Sequence, residues 1–381
     1  MSGALPSLEP LAPVTIERVE VLELALPLAT PLRSAASERR ERRVGLVRVV
    51  TKDGEGWAEC VAESTPTYDP ETADMALDAL ATTFVPLLLA GPGDIARFDE
   101  DAAAHPGRMA KAAAGLALLD AQLRAADRNL AAWLGATADT LAPGAALGLH
   151  DDVEDLLAEA EDALAAGAAR LRIKVAPGRA VGPVGAVRRV AGAGVPLQAD
   201  ANGTFDLSLT SHLAELEALD DLGLVCLEQP LPAADLAGAA ALADRLATPI
   251  CLDEPLTSID ALEAAVEAGA CEVACLKPAR VGGWPAARRF RDRCVELGVP
   301  VWVGGMLETG LGRAANAAVA ALPGMSLAPD LDPRGRFDPD LTDGLRPVGG
   351  RVPVPDGPGT GVEPPSAVRL REARLVGSWS P

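Results

Sequence analysis

Along the second half of the chain, short apolar runs ending on a polar residue alternate with longer stretches whose apolar positions recur at helical spacing. The runs are AALGLH, ARLRIK, VPLQAD, LGLVCLE, TPICLD, EVACLK, VPVWVGG and GMSLAPD, ending near residues 149, 174, 200, 228, 253, 277, 303 and 327. A step of about 25 residues fits one strand, one helix and two short loops. Eight such units in series predict a (β/α)8-type barrel. The intervening stretches carry helix signals. DDVEDLLAEAEDALAAG opens on acidic residues and stops at Gly167, and PAARRFRDRCVELGVP has Pro285 in its first turn and Gly298 at its end.

Residues 14–140 follow another rhythm. VTIERVEVLELAL and RRVGLVRVVTKDGEGWAECVA alternate as antiparallel strands, with KDGEG as the turn. ETADMALDALATTFVPLLLAG and the stretch from Gly107 to Gly135 read as helices. The predicted fold class is therefore α/β, a (β/α)8-type barrel behind an N-terminal α+β capping domain. The expected division is residues 1–140 for the cap, 141–330 for the barrel and 331–381 for a Pro- and Gly-rich segment returning to the cap.

Composition narrows the partners. Hydrophobic residues are 49% of the 381 and aromatics only 3%, so a large core must be built from Ala, Leu and Val. A net charge of −20 argues against nucleic acid and anionic membrane. No signal peptide and no apolar stretch near the ~18 residues of a membrane span are expected. The six cysteines lack metal-type pairing and read as buried thiols of a reducing, cytoplasmic setting.

Chemistry enters at the strand ends, where barrels of this kind hold their active sites. Runs two to six end in Lys174, Asp200, Glu228, Asp253 and Lys277. Three carboxylates from adjacent strands repel one another unless a divalent cation joins them, and all-oxygen ligation favours Mg²⁺ or Mn²⁺. Of 34 basic residues, four are lysines and thirty are arginines. A lysine can give up its proton when its surroundings lower its pKa, whereas arginine cannot, so Lys174 and Lys277 are the candidate catalytic pair. By strand parity Arg172, Gln198, Cys226, Cys251 and Cys275 share the inward face. Arg172 then needs an acidic partner, with Asp200 the candidate, and Asn202 stands two residues beyond Asp200.

These residues resemble the enolase superfamily, in its muconate-lactonising subgroup, through RIKVAPG, DANG, LEQPL, CLDE, LKPARVGG and GGMLETGLGRAAN. The last two motifs and the cap stretch from His105 to Ala136 are similar to the o-succinylbenzoate synthase and N-succinylamino acid racemase family. Superfamily sites with a Lys or His base and Mg²⁺ are a known pattern. The resemblance implies that Asp200, Glu228 and Asp253 hold Mg²⁺, which stabilises the enediolate formed when a small carboxylate substrate loses its α-proton. It implies that Lys174 is the base of a dehydration with Lys277 cationic, or that the two lysines serve opposite faces in a racemisation. Muconate-type cycloisomerisation is a third possibility. Arg172, Asn202, Glu254, Arg280, Met306 and Leu307 are candidates for tuning the site or touching substrate. Assembly as a homo-oligomer is expected.

The chain also departs from the family pattern. It has Arg172 where Lys is usual, Pro255 for Ser, Pro329 for Gly, and Ala146 where some members place a hydroxyl. PLATPLRSAASERRERR resembles a mobile loop closing over substrate, with arginines as candidates for a succinyl carboxylate. Dipeptide epimerases carry Asp-x-Asp in the eighth-strand region, and the chain is read as lacking it. The three histidines, His105, His150 and His212, lie away from strands six and seven, against a His-Asp base.

Overall fold

In the computed structural model, which describes residues 5–34, 37–342 and 345–381, two strands of alternating burial form a long hairpin at the N-terminal end. These are β1 (Ile16–Arg33) and β2 (Glu38–Thr51), and β3 (Gly54–Cys60) follows the KDGEG turn. Val19, Val21 and Val49 have no exposure, while the residues on either side of each are partly exposed. This is the two-residue period of a half-buried sheet. On the other side of β1 lies the strand at the chain's end, Arg374–Trp379, with Val19 opposite Trp379 and Glu23 opposite Arg374. The segment after the barrel thus returns to the cap sheet.

The helix Arg108–Ala125 crosses this sheet closely. A Cβ at Gly56 would lie 2.1 Å from Ala117 O, so only glycine admits the approach. Buried Asp120 ties three parts together, its Oδ2 accepting from Trp57 N at 2.9 Å and its Oδ1 from Thr360 N at 2.6 Å. The predicted helix beyond Gly107 breaks after Ala125 and restarts at Leu130–Leu134, with Asp127 in the left-handed region (φ 50°). The helical run Ala73–Ala90, broken by a π turn, is long and apolar enough to cross a bilayer by length and composition. That corrects the expectation of no such stretch. Here its Ala76, Leu80, Phe84 and Val85 are buried in the cap core.

The barrel sheet is parallel and takes its strands in sequence order: β4 (Gly144–Leu147), β5 (Arg170–Lys174), β6 (Leu197–Asp200), β7 (Cys226–Glu228), β8 (Ile250–Leu252), β9 (Val273–Leu276) and β10 (Val301–Val303). The eighth run does not form a strand, which corrects the eightfold reading. It still lies between the two edge strands. Ser326 N donates to Val301 O at 2.8 Å, Asp330 N to Val303 O at 3.0 Å, and Gly144 N to Pro329 O at 2.7 Å. Pro329 has no N–H to continue a ladder, so the closure is made by scattered bonds.

Beneath the strand ends, Cys226, Cys251, Cys275 and Trp302 form a buried layer. The Arg170 guanidinium stacks 4.2 Å from the Trp302 ring centre, an arrangement worth ~2 kcal/mol when desolvated. All six cysteines are free and buried.

Candidate active site

Pairing register decides which strand ends meet. Lys174 stands opposite Asp200, and Asp200 opposite Glu228. Glu228 pairs with Cys251, so Asp253 is carried two residues higher on the same face. The two lysines flank this trio, each on its own carboxylate. Lys174 Nζ donates to Asp200 Oδ2 at 2.6 Å and to Asn202 Oδ1 at 2.7 Å. Lys277 Nζ donates to Asp253 Oδ2 at 2.7 Å.

Two arginines complete the charge pattern. Arg172 Nη1 bridges Asp200 Oδ2 at 2.5 Å and Glu228 Oε1 at 3.1 Å, while Nη2 reaches Asp330. Arg280 Nη1 donates to Asp253 Oδ1 at 2.5 Å and to Asp253 O at 3.1 Å. Asn202 Nδ2 donates to Glu254 Oε1 at 3.2 Å. The backbone here is unusual. Asn202, Gln229 and Leu307 are non-glycine residues with φ of 45°, 39° and 57°. Such conformations cost on the order of 1–3 kcal/mol each and cluster at functional sites. Gln229 serves Asp253 directly, its Oε1 accepting from Asp253 N at 3.0 Å.

Burial sets the protonation states. It pushes Glu228 up to about 8, with Arg172 opposing and Asp200 and Asp253 adding. Glu254 is pushed up to about 7 by burial and by Asp253. Burial would raise Asp253 too, but Arg280 and Lys277 hold it well below the carboxylate range. Burial would lower both lysines, yet Asp200 leaves Lys174 above its ordinary value, and Asp253 does the same for Lys277. An ammonium held this way cannot act as a base.

These residues fit a divalent cation. The donors are hard oxygens on three adjacent strands. Glu254 Oε2 is buried without a partner among the described residues. A cation drawn to Asp200 and Asp253 would compete with the ammonium groups for the same oxygens, releasing the lysines for proton transfer. Ligand atoms of Glu228, Asp253 and Cys275 lie within 4.8 Å of one another. Asp200 is outside that group, its Oδ2 drawn to Arg172 and Lys174.

A cavity opens above these groups, lined by Lys174, Lys277, Arg172, Asn202 and Arg280 from the barrel and by Leu32, Ser34, Arg39 and Tyr68 from the cap. Met306 and Leu307 line it, whereas Glu254 does not. Sequence reasoning missed Tyr68, the only tyrosine, whose ring centre is 5.7 Å from Lys174 Nζ and whose hydroxyl is 2.5 Å from Ser34 Oγ. It also missed Asp330 as a partner of Arg172 and Arg170. Position could have found Asp330, which closes the eighth run.

The structure gives one expectation its setting and corrects another. The arginine-rich cap segment is mostly hairpin, with Leu32 opposite Arg39 and Arg33 opposite Glu38, and backbone bonds pin it to the C-terminal segment, as from Ala29 N to Arg336 O at 2.9 Å. Ala35 and Ala36 lie outside the described residues. Its arginines are engaged: Arg33 with Asp151, Arg39 with Glu63, Arg40 with Glu38, Arg42 with the carbonyls of Val61 and Ala62, and Arg43 with Glu23. Second, an Asp-x-Asp does stand in the eighth-strand region, as Asp330-Leu331-Asp332. Asp330 is held by Arg170 and Arg172, and Asp332 by Arg334 and Arg336, so guanidinium groups already neutralise both.

This geometry agrees with what the chain resembles as a whole. The family description "Mandelate racemase / muconate lactonizing enzyme, N-terminal domain" matches residues 16–135, and "Enolase C-terminal domain-like" matches 155–368. The chain belongs to the enolase superfamily of enzymes. Within it, an N-succinylamino acid racemase from Amycolatopsis sp. is 43% identical over 91% of this chain and 94% of its own. An o-succinylbenzoate synthase from Bacillus subtilis is 36% identical over 92% of this chain and 94% of its own. A crystal structure of an enolase-superfamily member from Listeria innocua is 31% identical and superposes with a TM-score of 0.88, covering 96% of this chain and 98% of that one.

Proposed function

We propose that this chain removes the α-proton of a small carboxylate in an o-succinylbenzoate synthase-like dehydration, a step of menaquinone synthesis. The observation that carries the reading is the pairing of Lys174 with Asp200 and of Lys277 with Asp253 on either side of Glu228. Asp200, Glu228 and Asp253 are the ligands of a divalent cation, Mg²⁺ or Mn²⁺. When bound, the cation neutralises the charge that develops on the substrate carboxylate as the α-proton leaves. Lys174 takes that proton and returns it to the departing hydroxyl, which leaves as water. Lys277 stays cationic beside the developing charge. Asn202 holds Lys174 in place, and Arg280 shares Asp253 with Lys277 and so governs how firmly that lysine keeps its proton.

A second reading is racemisation of N-succinylamino acids on the same residues, one lysine per face. The 43% identity to a racemase and the matched lysine–carboxylate pairs favour it. With either reading go a cytoplasmic setting, assembly of like chains, and no partnership with nucleic acid or membrane.

The test is turnover of the cyclohexadiene precursor of o-succinylbenzoate by purified protein with Mg²⁺, with EDTA as control. EDTA-sensitive dehydration with kcat/KM of at least ~10⁴ M⁻¹s⁻¹ supports the synthase. Slow dehydration beside fast α-proton exchange of N-succinylamino acids in D₂O supports the racemase. Absence of both overturns the proposal.

A further inference from the structure

The cavity wall carries two chemically different groups of residues. One holds the lysines and carboxylates described above. The other is formed by the helix Gly310–Ala320 and the segment just after the barrel, through Arg313, Asp332 and Arg336. Every other arginine on the wall has an acidic side chain at ion-pair distance. Arg39 has Glu63, Arg172 has Asp200, Arg280 has Asp253 and Arg336 has Asp332. Arg313 differs. The residue is 5% exposed, and among the described residues its side chain makes one hydrogen bond, from Nη2 to a backbone carbonyl, Asp332 O, at 2.8 Å. Among the described residues no carboxylate lies within 4.0 Å of its guanidinium, and Nε and Nη1 make no hydrogen bond.

A guanidinium cannot shed its charge, so burying one without a counter-ion is costly. Burial pulls Arg313 below its ordinary value, and the carboxylates of Asp340, Asp332 and Glu308 only partly counter it. Among the described residues, the acids that could serve it are committed elsewhere. Asp332 is taken by Arg334 and Arg336. Glu308 Oε2 accepts from Met306 N at 2.8 Å and Oε1 from Asn316 Nδ2 at 2.9 Å. Asp340 Oδ1 accepts from Gly310 N at 2.8 Å and from Leu341 N at 2.6 Å. An open fork of donors on a cavity wall, with its charge unanswered, suits a planar anion.

We propose that Arg313 is the subsite for a second carboxylate of the substrate, so that the site selects dicarboxylates with one acid group at the lysines and the other at this helix. The inference rests on the proton-abstraction reading above and adds to it the residue that reads the far end of the substrate. The preference for an anionic tail then resides in the barrel wall, and not in the arginine-rich cap hairpin, whose guanidinium groups already have partners.

The experiment compares an N-succinylamino acid with the N-butanoyl amide of the same amino acid, which keeps the length and lacks the second carboxylate. α-Proton exchange in D₂O gives kcat/KM for each with wild-type protein, Arg313→Gln and Arg313→Lys. Wild-type should prefer the succinyl compound. Arg313→Gln should lower that preference roughly 30- to 100-fold, mainly through KM, and Arg313→Lys should restore part of it. A preference unchanged in Arg313→Gln overturns the proposal, as does a wild-type enzyme that exchanges both compounds equally well. The second result needs no variant, so it holds if Arg313→Gln fails to fold. If wild-type exchanges neither compound, turnover of the cyclohexadiene precursor still tests the proton-abstraction reading separately, and binding decides the subsite. Glutarate should then raise the melting temperature of wild-type more than butanoate does, and equal shifts overturn the subsite.

Discussion

Glu59, at the end of the cap sheet, takes three hydrogen bonds from Thr309, the residue that caps helix Gly310–Ala320 of the barrel. Thr309 N donates to Oε1 at 3.0 Å and to Oε2 at 3.2 Å, and Thr309 Oγ1 donates to Oε2 at 2.7 Å. The carboxylate thus joins the cap to the helix that carries Arg313. Burial, with Glu308 nearby, pushes Glu59 up to about 8 from 4.5, although the Thr309 bonds pull the other way. The folded state therefore holds this proton more tightly than the unfolded chain. Its contribution to stability is fully present below pH 4.5 and is lost as pH rises through about 8. Relative to Glu59→Gln, wild-type should lose up to a few kcal/mol of unfolding free energy between pH 5 and pH 8.5. Urea titrations of both proteins across that range check it, and a constant difference would count against the raised value.

Gly304 tests how tightly Lys277 is held. A Cβ there would lie 2.4 Å from Cys275 Sγ and 3.1 Å from Lys277 Cε. Cys275 is buried in the layer beneath the strand ends and has little room to retreat, so the backbone at Gly304 must shift against the lysine stem. Gly304→Ala should lower kcat more than it raises KM, with about 1–3 kcal/mol of overpacking cost in stability. Steady-state kinetics beside a melting curve separate the two effects. Unchanged kcat would mean that the lysine tolerates displacement.

The strand ends were legible because each ends an apolar run on a polar residue at a regular interval, and parity then brought Gln198 and the three inner cysteines to one face. The eighth run misled for a local reason. GMSLAPD has the right spacing, but Pro329 cannot donate, and pattern does not count donors. Partners were harder still. Nothing near Arg172 in sequence points to Asp330, and nothing in the hairpin points Arg33 toward Asp151, because those pairs form only once distant segments meet. Tyr68 shows no period at all, lying in an irregular stretch of the cap. Asp330-Leu331-Asp332 was present as plain text, yet its meaning depends in part on Arg170 and Arg172, which only the fold brings to it.

Metal removal should be visible without any substrate. Binding to the folded state alone stabilises by about 2.7 kcal/mol at a hundredfold excess over Kd. Thermal unfolding with Mg²⁺, and then with excess EDTA, should therefore show a reversible rise in melting temperature. Asp253→Asn should abolish that rise. It should also lower the starting stability, because Arg280 and Lys277 lose the charge between them. A variant that keeps the full Mg²⁺ response would remove Asp253 from the ligand set.

The two lysines can be told apart by what each must do. If Lys174 is the base in both reactions, Lys174→Ala should abolish dehydration and racemisation alike in a protein that still melts cooperatively. Losing a positioned acid or base costs about 10²–10⁴-fold in rate. Appreciable α-proton exchange in that variant would sink the assignment. Lys277 is needed only as a cation for dehydration but as a proton carrier for racemisation. Lys277→Arg keeps the charge beside Asp253 and gives up the proton transfer, since a guanidinium does not deprotonate. It should keep dehydration within about tenfold of wild-type while racemisation falls by the full acid–base factor. The measurement is both activities on one preparation, with α-proton exchange of each enantiomer followed separately by NMR. Parallel loss of the two activities would mean that Lys277 does more than carry charge in the dehydration.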